Sequence, residues 1–236
     1  MLGLPDGITA CLFDLDGVLT QTAKVHAAAW KQMFDAFLRE THGEGAAPFT
    51  EHDYDAYVDG KTRSDGVRSF LDSRGIAHDE DLVRELGDRK NEIVLKLIHD
   101  HGVEPYEGSV RYLKATREAG LRRAVVSSSA NCHDVLVAAG IEDLLEARVD
   151  GVTVEERGLK GKPAPDMFLE GARVLGVEPA HAAVFEDALA GVEAGRAGHF
   201  GHVVGVDRVG QAQALREHGA DVVVGDLAEL LDDDRA

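Results

Sequence analysis

Residues 11–22 read CLFDLDGVLTQT. A short apolar run, residues 8–13, ends in two aspartates, Asp14 and Asp16, and then Gly17. The run predicts a buried strand. Aspartate is a poor strand former that normally sits in solvated turns, so the two acids either close the strand or are held there to do chemistry. Beyond Gly17 the period changes. Val25, Ala28, Ala29, Met33, Phe34 and Phe37 recur at helical spacing and predict a helix over about residues 22–39.

Working outward, a Gly/Ala-rich loop, THGEGAAPFT, is followed by three predicted helices near residues 53–58, 63–73 and 80–99. Nothing between about 21 and 103 reads as a strand. From residue 106 the texture alternates. Helices are expected over 108–119, 132–139, 165–175, 189–196 and 212–218. Strands are expected over 123–126, 147–149, 182–185, 203–206 and 222–224, and residues 227–231 continue the alternation. Strand–helix repetition predicts parallel strands with crossover helices, that is, an α/β doubly wound, Rossmann-like parallel sheet. The helical block then sits as an insertion after the first strand. Residues 1–20 and 104–236 would form the catalytic core and residues 21–103 an all-helical cap domain, with the terminal DDDRA a solvated tail.

The 236 residues are enough for a large body plus a small second domain. With 25 basic against 43 acidic side chains the net charge is −18, which argues against nucleic acid and anionic membrane surfaces as partners. A phosphorylated ligand would need a local positive site or a metal. Two cysteines, Cys11 and Cys132, make neither a disulfide scaffold nor a zinc site. The first residues show no signal-peptide pattern and no stretch is long and apolar enough to span a bilayer, so the expected location is the cytoplasm.

In open parallel sheets ligands bind at the carboxyl ends of the strands. Here the first strand ends in Asp14 and Asp16, the second in Ser127-Ser128-Ser129-Ala130-Asn131, and another in Glu186-Asp187; Lys162 lies in a Gly/Pro-rich loop. Four carboxylates, a hydroxyl cluster and a lysine thus converge on one edge. Crowded carboxylates repel unless a cation neutralises them, and hard oxygen ligands suit Mg²⁺. Asp14, Asp16, Glu186 and Asp187 are the expected cage. An EF-hand loop is ruled out because its twelfth position is Val25, and a Walker loop because its glycine position is Glu156. Acids that merely end strands and cap helices would be the ordinary explanation for any one of these residues, but not for the set.

FDLDGVLTQT resembles motif one of the haloacid dehalogenase-like phosphotransferase superfamily; SSS, KGKPAPDMF and VFEDALAGVEAG resemble its motifs two, three and four. A narrower resemblance, to the β-phosphoglucomutase family, rests on DGVLTQTAKVHAAAW, GKTRSDG, RKN, SSSAN and KPAPDMF. The resemblance implies Asp14 as nucleophile, Asp16 as general acid and base, and Ser127 and Lys162 as catalytic partners that hold phosphate. It implies Mg²⁺ as cofactor. Thr22, His26, Trp30, Gly60, Arg63, Lys90, Ser128 and Asn131 would bind a phosphorylated sugar, and the protein would act as a monomer. Thr22, His26 and Trp30 share one helix face. Two departures stand out: Gln21 where those mutases carry an acid, and Ala130 where a lysine is common, with Lys61 or Lys160 as compensating cations.

The expectation is a Mg²⁺-dependent mutase interconverting β-glucose 1-phosphate and glucose 6-phosphate. A sugar- or polyol-phosphate phosphatase on the same scaffold is the alternative, and a non-catalytic phosphosugar-binding regulator a third. A phosphonate hydrolase would need a cap lysine, for which Lys24 is the candidate.

Overall fold

A computed structural model describes residues 2–43 and 45–231; the expected DDDRA tail lies outside the described residues. Strands β1 (Ala10–Phe13), β2 (Arg122–Val126), β3 (Ala147–Val149), β4 (Ala182–Glu186), β5 (His202–Val206) and β6 (Val222–Val224) form one parallel sheet in the order β3-β2-β1-β4-β5-β6. The chain leaves β1 toward β2 on one side and returns to β4 on the other, so the topological switch point lies at the end of β1, where a ligand crevice opens in this class of sheet.

All four residues of β1 are buried, as a central strand with both faces covered requires. Cys11 and Phe13 face one core with Tyr112, Val125 and Phe185; Ala10 and Leu12 face the other with Val126, Phe168 and Val184. This period-two division carries past the strand end. Phe13 is in register with Phe185, so Asp14, one residue on, lies beside Glu186.

Helices α1 (Ala23–His42), α2 (Glu51–Asp53, continuing as a π-helix over Tyr54–Val58), α3 (Arg63–Ser73) and α4 (Glu80–His101) lie between β1 and α5 (Glu107–Glu118). They pack on one another around an apolar cluster of their own, in which Phe34 stacks on Trp30 at 5.3 Å and approaches Phe70 at 4.1 Å. Thr62 and Asp79 cap α3 and α4 by accepting from the third backbone N–H beyond them. Two strands of linker run side by side: Gln21 N donates to Glu104 O and Tyr106 N to Leu19 O, both at 2.9 Å.

The remaining helices are α6 (Cys132–Ala139), α7 (Gly151–Arg157), α8 (Asp166–Leu175), α9 (Leu189–Ala197) and α10 (Ala212–Glu217). The alternation is as expected, with four differences. Helix α7 was not anticipated: its seven residues include β-branched Val and Thr, and it owes its ends to Asp150, which caps Thr153 N, and to left-handed Gly158. The segment near 53–58 is largely π-helical. Residues 227–230 form a 3₁₀ turn rather than an α-helix. Strand β1 starts at Ala10, two residues later than its apolar run.

Phe34→Ala would leave a void in the centre of the α1–α4 cluster, at a cost of about 3–5 kcal/mol. A urea unfolding series should show the midpoint falling accordingly, with an altered emission from Trp30, the single tryptophan, which stacks on the deleted ring.

Candidate active site

Lys162 stands at the centre. Its side chain is fully buried, and Nζ donates to Asp14 Oδ1 at 2.6 Å, to Val126 O at 3.1 Å and to Glu186 Oε1. The ammonium also lies 4.9 Å over the Phe168 ring. Burial opposes its charge, but Asp14 and Glu186 outweigh that and push the ammonium above the usual lysine range. Glu186 is held at its other oxygen by Ala188 N at 2.9 Å.

Asp14, Glu186 and Asp187 each offer a carboxylate oxygen, and these lie within 4.8 Å of one another. One lysine neutralises part of three acids. Burial, helped by the neighbouring acids, pushes the carboxyls of Asp14 and Asp187 well above the ordinary carboxylate range despite Lys162. Two buried acids and one half-buried acid around a single ammonium make an oxygen cluster that fits a hard divalent cation. Gly17 allows this packing: at φ +91°, a Cβ there would lie 1.7 Å from Asp187 Oδ2.

Asp16 does not join that cluster, and the expected four-acid cage becomes three. Its Oδ1 accepts from the Thr22 hydroxyl and lies 3.3 Å from His26 Nε2. The latter approach lacks hydrogen-bond alignment. Burial opposes ionisation of Asp16, but His26, Thr22 and Lys90 together hold it down to about 2. On the far side of the His26 ring, Nδ1 is 2.7 Å from Lys90 Nζ, which also sits 4.9 Å over the Trp30 ring. Lys90 is buried rather than a surface charge, and burial, with Arg63 nearby, lowers it to about 7 against the pull of Asp16. Ser127 is buried behind the site: its Oγ accepts from Ser129 N at 3.1 Å and reaches Asp16 Oδ2 only at 3.5 Å.

One cavity joins these groups. Of the expected substrate residues, His26, Trp30, Gly60, Arg63, Lys90, Ser128 and Asn131 line it together with Asp14, Asp16, Glu186 and Asp187. Thr22 does not; it lies behind Asp16. Ser127 and Lys162 are likewise beneath the cavity wall. Trp30 lines the cavity while stacking in the helical cluster. The wall is sewn between the helical segment and the sheet: Ser128 Oγ donates to Gly60 O at 2.7 Å, and Asn131 Nδ2 to Asn91 Oδ1 at 2.8 Å. Gly60, at φ +71°, fits under Ala188, whose Cβ a new Cβ would meet at 3.0 Å.

Besides the apolar Val58 and Ala188, three polar lining residues went unforeseen: Asn91, Tyr54 and Asp59. Asn91 belongs to the RKN triplet and could have been singled out there. Tyr54 and Asp59 carried no signal, since the π-turn and the loop after it place them. Burial, then Glu186, raises the Asp59 carboxyl to about 7. Of the compensating cations, Lys61 lines the cavity and Lys160 does not. Gln21 and Lys24 are exposed and outside it, so the departure at 21 lies in the linker and Lys24 offers no imine-forming group to this site.

Residues 8–199 match the family model described as haloacid dehalogenase-like hydrolase, and the chain belongs to that family. Among its relatives, the β-phosphoglucomutase of Mycobacterium tuberculosis is 56% identical over 98% of this chain and 94% of its own length. The β-phosphoglucomutase of Bacillus subtilis is 35% identical over 94% and 91%. The crystal structure of β-phosphoglucomutase from Clostridium difficile superposes with a TM-score of 0.78 at 26% identity, covering 94% of this chain and 93% of that one. No helix among the described residues is long and apolar enough to cross a membrane.

Lys90→Met removes a buried ammonium that is harder to keep protonated in the folded chain than in the unfolded one. Between about pH 7 and 10 the unfolded chain binds more protons, so this penalty is full below pH 7 and fades as pH rises. The variant is therefore expected to melt no lower than the parent at pH 6 and to lose that advantage toward pH 10 in a thermal scan.

Proposed function

We propose that this enzyme is a Mg²⁺-dependent mutase that interconverts β-glucose 1-phosphate and glucose 6-phosphate. The observation that carries the reading is one cavity with a place for a phosphate at each end: an acidic cluster suited to a cation at the sheet end and basic side chains at the other. Asp14 and Lys162 stand at the sheet end, and Arg63 and Lys61 line the same cavity from the helical segment. A phosphatase needs one phosphate site; a mutase must hold a bisphosphate while it turns over. The similarity to β-phosphoglucomutases supports the same choice.

In this reading Asp14 attacks phosphorus in line. The new bond is from its carboxylate oxygen to phosphorus, and the bond from phosphorus to the sugar oxygen breaks. Lys162 fixes the Asp14 carboxylate and, with the N–H groups after Ser127, meets the charge on the transferring oxygens. Asp14, Glu186 and Asp187 would hold Mg²⁺, which supplies charge neutralisation. Asp16, charged in this arrangement, suits the base half of the cycle: it takes the proton of the accepting sugar hydroxyl, and the carboxyl so formed returns a proton to the leaving oxygen in the next half. Arg63, with its forked guanidinium, holds the non-reacting phosphate, and the segment 21–103 acts as a cap that keeps water from the aspartyl-phosphate. The substrate is a phosphorylated sugar and the working unit a monomer in the cytoplasm.

The test is a coupled assay on β-glucose 1-phosphate with Mg²⁺ and a bisphosphate primer, with inorganic phosphate measured in the same tube. Glucose 6-phosphate should form far faster than phosphate is released; phosphate release alone would make the enzyme a phosphatase. Asp14→Asn should remove turnover by at least about 10³-fold, since no nucleophilic oxygen of comparable strength replaces it, while the chain still melts cooperatively. Arg63→Ala should raise KM more than it lowers kcat, by roughly the 10–100-fold that a charge-assisted phosphate contact of about 1.5–3 kcal/mol implies.

A further inference from the structure

The four sequence motifs leave out the loop after β5, residues 207–211, yet this loop touches the backbone of two of them. Asp207 organises it by accepting from the N–H groups of Val209, Gly210, Gln211 and Ala212 at 2.7–3.3 Å. The two side chains that the turn presents then reach in different directions. Arg208 Nε donates to Gly17 O at 2.8 Å, in the turn that follows Asp16. Gln211 Nε2 donates to Asp187 O at 3.0 Å.

Arg208 is further anchored. Nη1 donates to Gly225 O at 2.8 Å, and the guanidinium lies 3.6 Å over the ring of Tyr106, the residue whose N–H bonds Leu19 in the linker. Nη1 also lies 3.5 Å from Asp226 Oδ2, and Nη2 is buried with no partner. The two loops it spans are in intimate contact, since even a methyl group at Gly17 would collide with the Asp187 carboxylate. A shift of either backbone therefore changes how Asp16 and Asp187 stand to each other.

We propose that the 207–211 loop is a brace that sets the Asp16 turn against the Asp187 loop, with Arg208 and Gln211 as positioning residues for cation binding and proton transfer. The inference rests on the functional reading above for the identity of the cation. Neither side chain lines the cavity, so each acts through another residue. A lysine at 208 could reach one carbonyl but could neither fork to two nor stack flat on Tyr106.

The test measures Mg²⁺ affinity by calorimetry on the full chain without sugar phosphate, for the parent, Arg208→Gln, Arg208→Lys and Gln211→Ala. Arg208→Gln and Gln211→Ala should each weaken Mg²⁺ binding by about 10-fold, the usual effect of losing an outer-shell contact. Arg208→Lys should fall between parent and Arg208→Gln. In turnover, kcat should drop more than KM changes, and the double variant should be less than additive because both arms act on one geometry. Thermal scans accompany each variant, and Gln211→Ala, the smaller change, carries the inference if Arg208→Gln does not fold. Mg²⁺ affinities within twofold of the parent in folded Gln211→Ala and Arg208→Lys would overturn the brace. A parent that binds Mg²⁺ but does not isomerise β-glucose 1-phosphate would overturn the mutase reading alone, and the brace would still stand or fall on the affinities.

Discussion

A lysine ammonium with no access to water must find its charge partners within the protein, and the site grows from how Lys162 does so. Its three acceptors come from three adjacent strands: Val126 O from β2, Asp14 beyond β1 and Glu186 at the end of β4. The β2-β1-β4 adjacency is what brings them within one ammonium's reach. Removing one partner of such a buried cluster costs roughly 3–5 kcal/mol, because it strands a charge rather than merely losing a bond. The same contact that ties three strand ends together also fixes the Asp14 carboxylate. Since three acids crowd one lysine, the cluster still carries negative charge that a hard cation can meet.

Asp14 and Asp16 are two residues apart and end in opposite electrostatic situations. Asp14 is pushed up by burial and by Glu186. Asp16 is held ionised by His26, Thr22 and Lys90, all from the helical segment or its start. The sheet thus sets the state of Asp14 and the helical segment that of Asp16. Neighbouring carboxylates whose environments push their acidities apart can divide the labour of a reaction in this way. The two linker strands, paired at Gln21–Glu104 and Leu19–Tyr106, lie beside this junction.

Much of this was legible in the chain. The apolar run before Asp14 announced a buried central strand, and the alternation after residue 106 announced a parallel sheet, because strand and helix periods are properties of local sequence. The order of the strands was not legible. Neither was α7, whose seven residues give too few turns for a period to show. The π-turn over Tyr54–Val58, which places Tyr54 and Asp59 on the cavity, looks in sequence like one more helical turn.

The residue types alone determined that an acidic edge exists: DLD, SSS, GKPAP and ED each sit at a strand or loop end, and the acids among them call for a cation. Tertiary structure decided which acids share that cation and which do not. Asp16 reads as a ligand by spacing, but Thr22 and His26 turn its carboxylate away, and that choice depends on a helix packing back over the strand end. It also decided that Gln21 is a linker residue outside the cavity, that Lys61 rather than Lys160 faces it, that Arg208 donates to the Gly17 carbonyl, 191 residues earlier, and that Gln211 donates to that of Asp187. Spacing along a chain sets which residues can share a face; which charges meet is set by contacts between segments far apart in sequence, and those are fixed only when the chain folds.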